Sequence, residues 1–203
     1  MSIRAAIFAA ALPFYVTAAQ AADQSTGTSV AFMFDGAQVL ISPNSTDAAR
    51  FAALFAAIAP SCSPHCIAPE TVASGVETLT EAAVLEFLVT GVGANAGLLV
   101  DARMPPDRAL GFIPGSVSLP HEALQPENEF RDDILKALGA RAFEDVFNFA
   151  DAQTLVVYDN GPTQNDAGKL IGYLLDAGYP PEKIRYYRGG MQVWSVLGLT
   201  VQE

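Results

Sequence analysis

Cysteine is almost absent from this 203-residue chain: it occurs twice, and both copies lie inside Cys62-Ser-Pro-His-Cys66. Any thiol chemistry must therefore run through that one loop, because no residue after Cys66 carries a thiol. Basic residues are scarce as well. Lys and Arg total 11 against 22 Asp and Glu, which gives a net charge of −11 and an isoelectric point near 4.5. Such a chain repels phosphates instead of releasing their counterions, which argues against nucleic acid and anionic lipid surfaces as partners. Internal repeats are lacking, and no low-complexity tract follows the N-terminal segment. The apolar run at residues 5–17 is too short for the ~20 residues of a membrane-spanning helix.

Hydrophobic residues, by contrast, make up 51% of the chain, enough for a packed core. The length suits one domain with an appendage, or two small ones. Arg4 supplies a positive n-region, residues 5–17 an apolar h-region, and Ala19-Gln20-Ala21 a cleavage pattern ahead of Ala22. Residues 1–21 are thus expected to be a signal peptide, residues 22–74 an N-terminal extension and residues 75–203 the main domain. The competing reading is an N-terminal membrane anchor left uncleaved. Cleavage removes Arg4 and no acid, so the net charge moves from −11 to −12. A periplasmic or secreted protein follows, with no membrane attachment once the signal is gone. In an oxidising compartment a cysteine pair this close is expected to form a disulfide, Cys62 to Cys66. So small a ring gains stability only at the low end of the ~2–4 kcal/mol range. His65 leaves open a redox or sulfur-handling pair, since a neighbouring imidazole lowers a thiol pKa and a short ring is reducible. Cys62, His65, Cys66 and His121 could together make four ligands, but their spacing is not that of a zinc site, and no metal or cofactor is expected.

Along the chain, Asp35-Gly36 between two β-prone runs signals a hairpin. An alanine-rich helix follows up to Pro60, and "PSCSPHCIAP" is a loop. From about residue 75 strands and helices alternate: "GLLVDAR", "IPGSVSLP", helical patterns at 129–138 and 141–149, "LVVYDNG" before a helix, "IRYY", and a last helix around Trp194. Thr78-Leu79-Thr80-Glu81 reads as a capping box. This order predicts an α/β fold, a mostly parallel sheet with helices on both faces. Ligands in such sheets bind outside the carboxyl ends of the strands. Those ends are Asp101-Ala102-Arg103, Asp159-Asn160-Gly161 and Arg188-Gly189-Gly190.

These turns, in this order and spacing, resemble a rhodanese domain, the sulfurtransferase fold. "LLVDAR", "GFIPGSVSLP", "LVVYDNG" and "LLDAGYPPEKIRYYRGGMQVWSVLGLTV" carry the resemblance across about residues 75–203. It implies a rhodanese-like domain with an N-terminal hairpin and helix extension outside it. In active members the residue after the "VVY" strand is a cysteine that carries sulfane sulfur as a persulfide, stabilised by the N–H groups of the next helix start. Here that position is Asp159, and the following "GPTQNDAG" has no base before Lys169.

The resemblance therefore implies a loop, Asp159, Asn160, Gly161, Thr163, Gln164 and Asn165, that is shaped for catalysis but lacks its nucleophile. A nucleophilic aspartate of the haloacid-dehalogenase phosphatase type would need a second aspartate two residues on, where Gly161 stands. Arg103 and Arg188 either line a small pocket with Asp159 or serve as ion-pair partners for Asp101 or Asp159. The reading is an accessory or binding module, its partner a protein or a small anionic or sulfur ligand. The alternatives are thiol chemistry at Cys62 and Cys66 and a residual sulfurtransferase. Processing is directly testable: intact mass of the exported protein should place its first residue at Ala22 or within a residue or two of it. A mature protein that keeps Met1 would refute the cleavage.

Overall fold

The computed structural model describes residues 29–43, 46–58, 67–143 and 146–203. Cys62, His65 and Cys66, and the expected signal peptide, lie outside the described residues. The core is a five-stranded sheet of β3 (Glu77–Thr78), β4 (Gly97–Asp101), β5 (Ser116–Ser118), β8 (Thr154–Tyr158) and β9 (Ile184–Tyr187). Its order is β3-β9-β8-β4-β5, with every pairing parallel. The apolar run of β8 has the composition of a strand covered on both faces. Its side chains alternate accordingly. Leu155 and Val157 enter one apolar cluster with Leu170, Ile171 and Leu174, and Val156 and Tyr158 enter the other with Val84, Met191 and Trp194.

The first cluster is covered by α4 (Arg131–Ala137) and α5 (Asp166–Asp176). In α5 the buried positions are Ala167, Leu170, Ile171 and Leu174, the 3-4 spacing of an amphipathic helix. The second is covered by α2 (Glu81–Phe87) and α6 (Gly190–Val196). Thr80 caps α2, its Oγ1 accepting the Ala83 N–H at 3.4 Å, while Thr78 belongs to the short β3. A further short helix, α3 (Pro105–Arg108), follows β4. No helix among the described residues is long and apolar enough to cross a membrane.

The N-terminal extension packs on this body. β1 (Val30–Phe34) and β2 (Ala37–Ile41) form the antiparallel hairpin, with Asp35 at φ 47° and Gly36 at φ 75°, as a type I′ turn requires. Phe32, Ile41, and Phe51 and Phe55 of α1 (Ala48–Ile58) are buried in the same cluster as Trp194. The helix expected over residues 141–149 does not form: β6 (Arg141–Phe143) and β7 (Val146–Asn148) are strands there, paired antiparallel. Phe143, Val146 and Phe147 have helical i, i+3, i+4 spacing, but no helix face is buried. Phe143 and Val146 are exposed, and Phe149 instead packs on Tyr179 with ring centroids 5.1 Å apart.

Trp194 is fully buried, donates its Nε1–H to the Thr200 carbonyl at 2.8 Å, and meets the Tyr187 ring edge-on at 6.3 Å. Trp194→Ala should therefore cost about 3–5 kcal/mol, the range for a buried large aromatic. Denaturant melts of parent and variant measure it, and superimposable melts would show that the helix does not seat its ring in the core.

Candidate functional site

The carboxyl ends of β4, β8 and β9 converge, and polar groups there are buried. At the end of β4, the Asp101 carboxylate is wholly out of water. Arg103 donates to it twice, from Nε at 2.8 Å and Nη2 at 2.6 Å. Arg108 Nη1 and the Tyr158 hydroxyl donate to Oδ2 at 2.8 and 2.9 Å. Arg108 also donates to the Ser116 carbonyl at 2.7 Å, so the network reaches β5. Burial pushes the Tyr158 hydroxyl well above its ordinary range, with the Asp101 charge adding to the effect, so it stays a donor. Arg103 is itself fully buried, donating further to the Asp107 and Gly111 carbonyls and, from Nη1 at 3.1 Å, to Asn160 Oδ1. It is the ion-pair partner of Asp101, and each of its five N–H groups already has an acceptor among the described residues. The Phe55 ring lies 5.8 Å from that guanidinium.

Asp159 follows β8 and is also fully buried. Its Oδ1 accepts the Gly161 N–H at 2.9 Å and its Oδ2 the Ala167 N–H at 3.0 Å, the latter in the first turn of α5. The expected anion cradle of loop amides and helix start is thus present. It does not suffice to keep the group strongly acidic. Burial pushes the Asp159 carboxyl up to about 6, against the opposing pull of the two N–H bonds, and the neighbouring Asp166 charge pushes the same way. The start of α6 pins the loop from above: Met191 N–H donates to the Asp159 carbonyl at 3.1 Å and Gln192 N–H to the Asn160 carbonyl at 2.9 Å. Gly190, at φ 55°, permits this approach, since a Cβ there would lie 2.6 Å from the Gly161 nitrogen. That is the physical demand behind the second glycine of Gly189-Gly190.

Beyond Gly161 the loop opens onto a cleft of about 360 Å³. Thr163, Gln164 and Asn165 line one wall with Asp166 and Lys169, and Ile67, Ala68 and Pro69 of the extension line the other. Arg188 does not reach Asp159; its Nε donates to the Ala68 carbonyl at 3.0 Å. Two features escaped the sequence. Residues 67–70 lie against the loop, and His121 sits beside α5, with Nε2 3.4 Å from Lys169 Nζ and Nδ1 3.6 Å from Asp166 Oδ1. His121 stands 45 positions before Asp166 in the chain, and nothing local in the sequence joins them.

The raised carboxyl has a definite sign for stability. Between an ordinary 3.8 and about 6 the folded chain holds a proton at Asp159 that the unfolded chain has released. Its contribution therefore favours folding at low pH and is lost as pH rises through that window. Relative to Asp159→Asn, which cannot titrate, the parent should lose roughly 3 kcal/mol of stability between pH 3.5 and pH 7. Urea melts of both proteins across that range read the difference, and a gap independent of pH would show an ordinary carboxyl.

A family model for the rhodanese-like domain matches residues 86–197, over half of the chain. No curated protein matches. Among solved structures, the chain is similar to a protein of unknown function from Rhodopseudomonas palustris described as a possible tyrosine phosphatase. The identity is 24% and the TM-score 0.47, with 64% of this chain and 88% of that one covered. A rhodanese-related protein from Thermoplasma volcanium is 19% identical with a TM-score of 0.41, covering 62% and 97%. A protein from Bacillus halodurans is 20% identical with a TM-score of 0.46, covering 63% and 77%. With its matched segment running from α2 to the end of α6 and its parallel sheet of rhodanese fold, the chain belongs to the rhodanese-like domain family.

Proposed function

We propose that the protein is a periplasmic accessory or binding module on a rhodanese fold, with no sulfurtransferase activity of its own. Asp159 carries this reading. Transfer from thiosulfate requires a thiolate to take the sulfane sulfur as sulfite leaves, and then to yield that sulfur to an acceptor such as cyanide. A carboxylate forms no persulfide, and the oxygens of Asp159 are already held by Gly161 and Ala167 N–H groups. Of the bases near the loop, Arg103 is bonded to Asp101 and Lys169 is paired with Asp166 at 3.3 Å, which reduces the positive charge these two offer an anionic donor. The overall charge of −11 opposes such a donor too. The signal-peptide pattern of residues 1–21 supports the periplasmic placement, and the polar cleft beside Thr163 and Gln164 supports recognition of a ligand or partner.

A second reading keeps thiol chemistry but moves it to Cys62 and Cys66. One observation favours it: Ile67, covalently next to Cys66, lines the same cleft as the loop. One assay separates the readings. With thiosulfate and cyanide, the wild type should form no thiocyanate above a protein-free blank. Turnover that disappears on alkylation of Cys62 and Cys66 would favour the second reading. Turnover that survives alkylation would overturn both and point to a mechanism without thiols.

A further inference from the structure

We propose that residues 67–70 are a self-docked strap, filling with the protein's own chain a face that accepts an extended peptide. The proposal rests on reading the loop as a binding surface. The strap is held through its main chain. Ala68 N–H donates to the Pro162 carbonyl at 2.6 Å, Arg188 Nε donates to the Ala68 carbonyl at 3.0 Å, and Thr78 Oγ1 donates to the Glu70 carbonyl. None of these contacts uses a strap side chain. Ala68 is buried, whereas Ile67, Pro69 and Glu70 are exposed.

The domain thus presents an outward carbonyl, an arginine donor and a hydroxyl donor. Any extended polypeptide offers the N–H and carbonyl groups that satisfy them. The cleft of about 360 Å³ runs beside the strap, with Thr163 and Gln164 opposite. A segment held by a few hydrogen bonds and one buried methyl group belongs to the low-stability end of a structure, the part that opens first. A partner peptide therefore has only to replace main-chain bonds of its own kind. The strap closes the face until such a peptide displaces it.

Accessibility of the cleft reads this without any natural ligand. In a Cys62→Ser, Cys66→Ser background, Thr163→Cys places one thiol on the wall facing the strap, and its alkylation by iodoacetamide is timed. Ala68→Pro removes the strap's N–H donor, and Arg188→Ala removes the donor to its carbonyl. Each should speed labelling by about ten-fold, the factor one lost hydrogen bond of typical strength allows. The peptide acetyl-Ile-Ala-Pro-Glu-Thr-amide, added in excess, should slow labelling of the strap-released variants towards the parent rate. Unchanged rates in the folded variants would overturn the strap. Faster labelling that the peptide does not slow would overturn the extended-peptide assignment. If Ala68→Pro does not fold, Arg188→Ala decides alone. A negative thiocyanate assay bears on sulfur transfer and leaves these rates untouched, so the two proposals fail separately.

Discussion

The Asp101 carboxylate, fully buried at the end of β4, is the constraint on which the site end of this fold depends. Two guanidinium groups and a tyrosine hydroxyl converge on it, from Arg103, Arg108 and Tyr158. Bidentate charge-assisted bonds of this kind offset the desolvation of a buried ion pair; removing one partner alone typically costs about 3–5 kcal/mol. The geometry follows from the pairing. Tyr158 is the last residue of β8 and Arg108 reaches the carbonyl of Ser116, the first residue of β5, so one carboxylate ties β4 to the end of β8 and the start of β5. Through Asn160, Arg103 also fixes where the next loop begins.

Asp159 is the contrasting case, a short distance along the same edge. It is equally buried, but its partners among the described residues are two backbone amides, and no cation among them donates to it. Amide dipoles oppose desolvation without cancelling it, and the Asp166 charge at the helix start works against them, so the carboxyl is pushed up. The cradle has the donors for an anion and holds one, at an energetic cost. A loop that kept this arrangement only for stability would gain from a neutral group.

Much of this was legible in the sequence because the signals were local. The apolar run of β8, the Asp35-Gly36 turn and the 3-4 spacing of α5 each specify their element within a few residues. The order of the strand ends then placed Asp101, Asp159 and Arg188 on one edge. The pairing of β6 with β7 was not legible, because Phe143, Val146 and Phe147 carry a helical spacing that tertiary packing overrides. Two-residue β3 has no periodicity to detect. The ion pair of Arg103 with Asp101 was one of two open readings, and only three-dimensional contact could choose between them. The strap left no trace at all: Ala68 and Pro162 meet through backbone atoms, which the identity of a side chain does not report.

The placement of the extension changes what the fold's site end is. In a doubly covered parallel sheet the helices protect the faces and leave the carboxyl edge open, which is why ligands bind there. Here α1 sets Phe55 against Arg103, and residues 67–70 bridge the Pro162 carbonyl and Arg188. The extension thus covers the edge from two sides, and its own apolar residues, Phe32, Ile41, Phe51 and Phe55, are buried in the domain's second core cluster. The two coverings differ in kind. α1 is seated by aromatic burial and leaves only with the core, whereas the strap is seated by hydrogen bonds that another peptide can replace. An edge closed permanently on one side and replaceably on the other suits recognition better than turnover, since access is governed by exchange of one main chain for another at the strap.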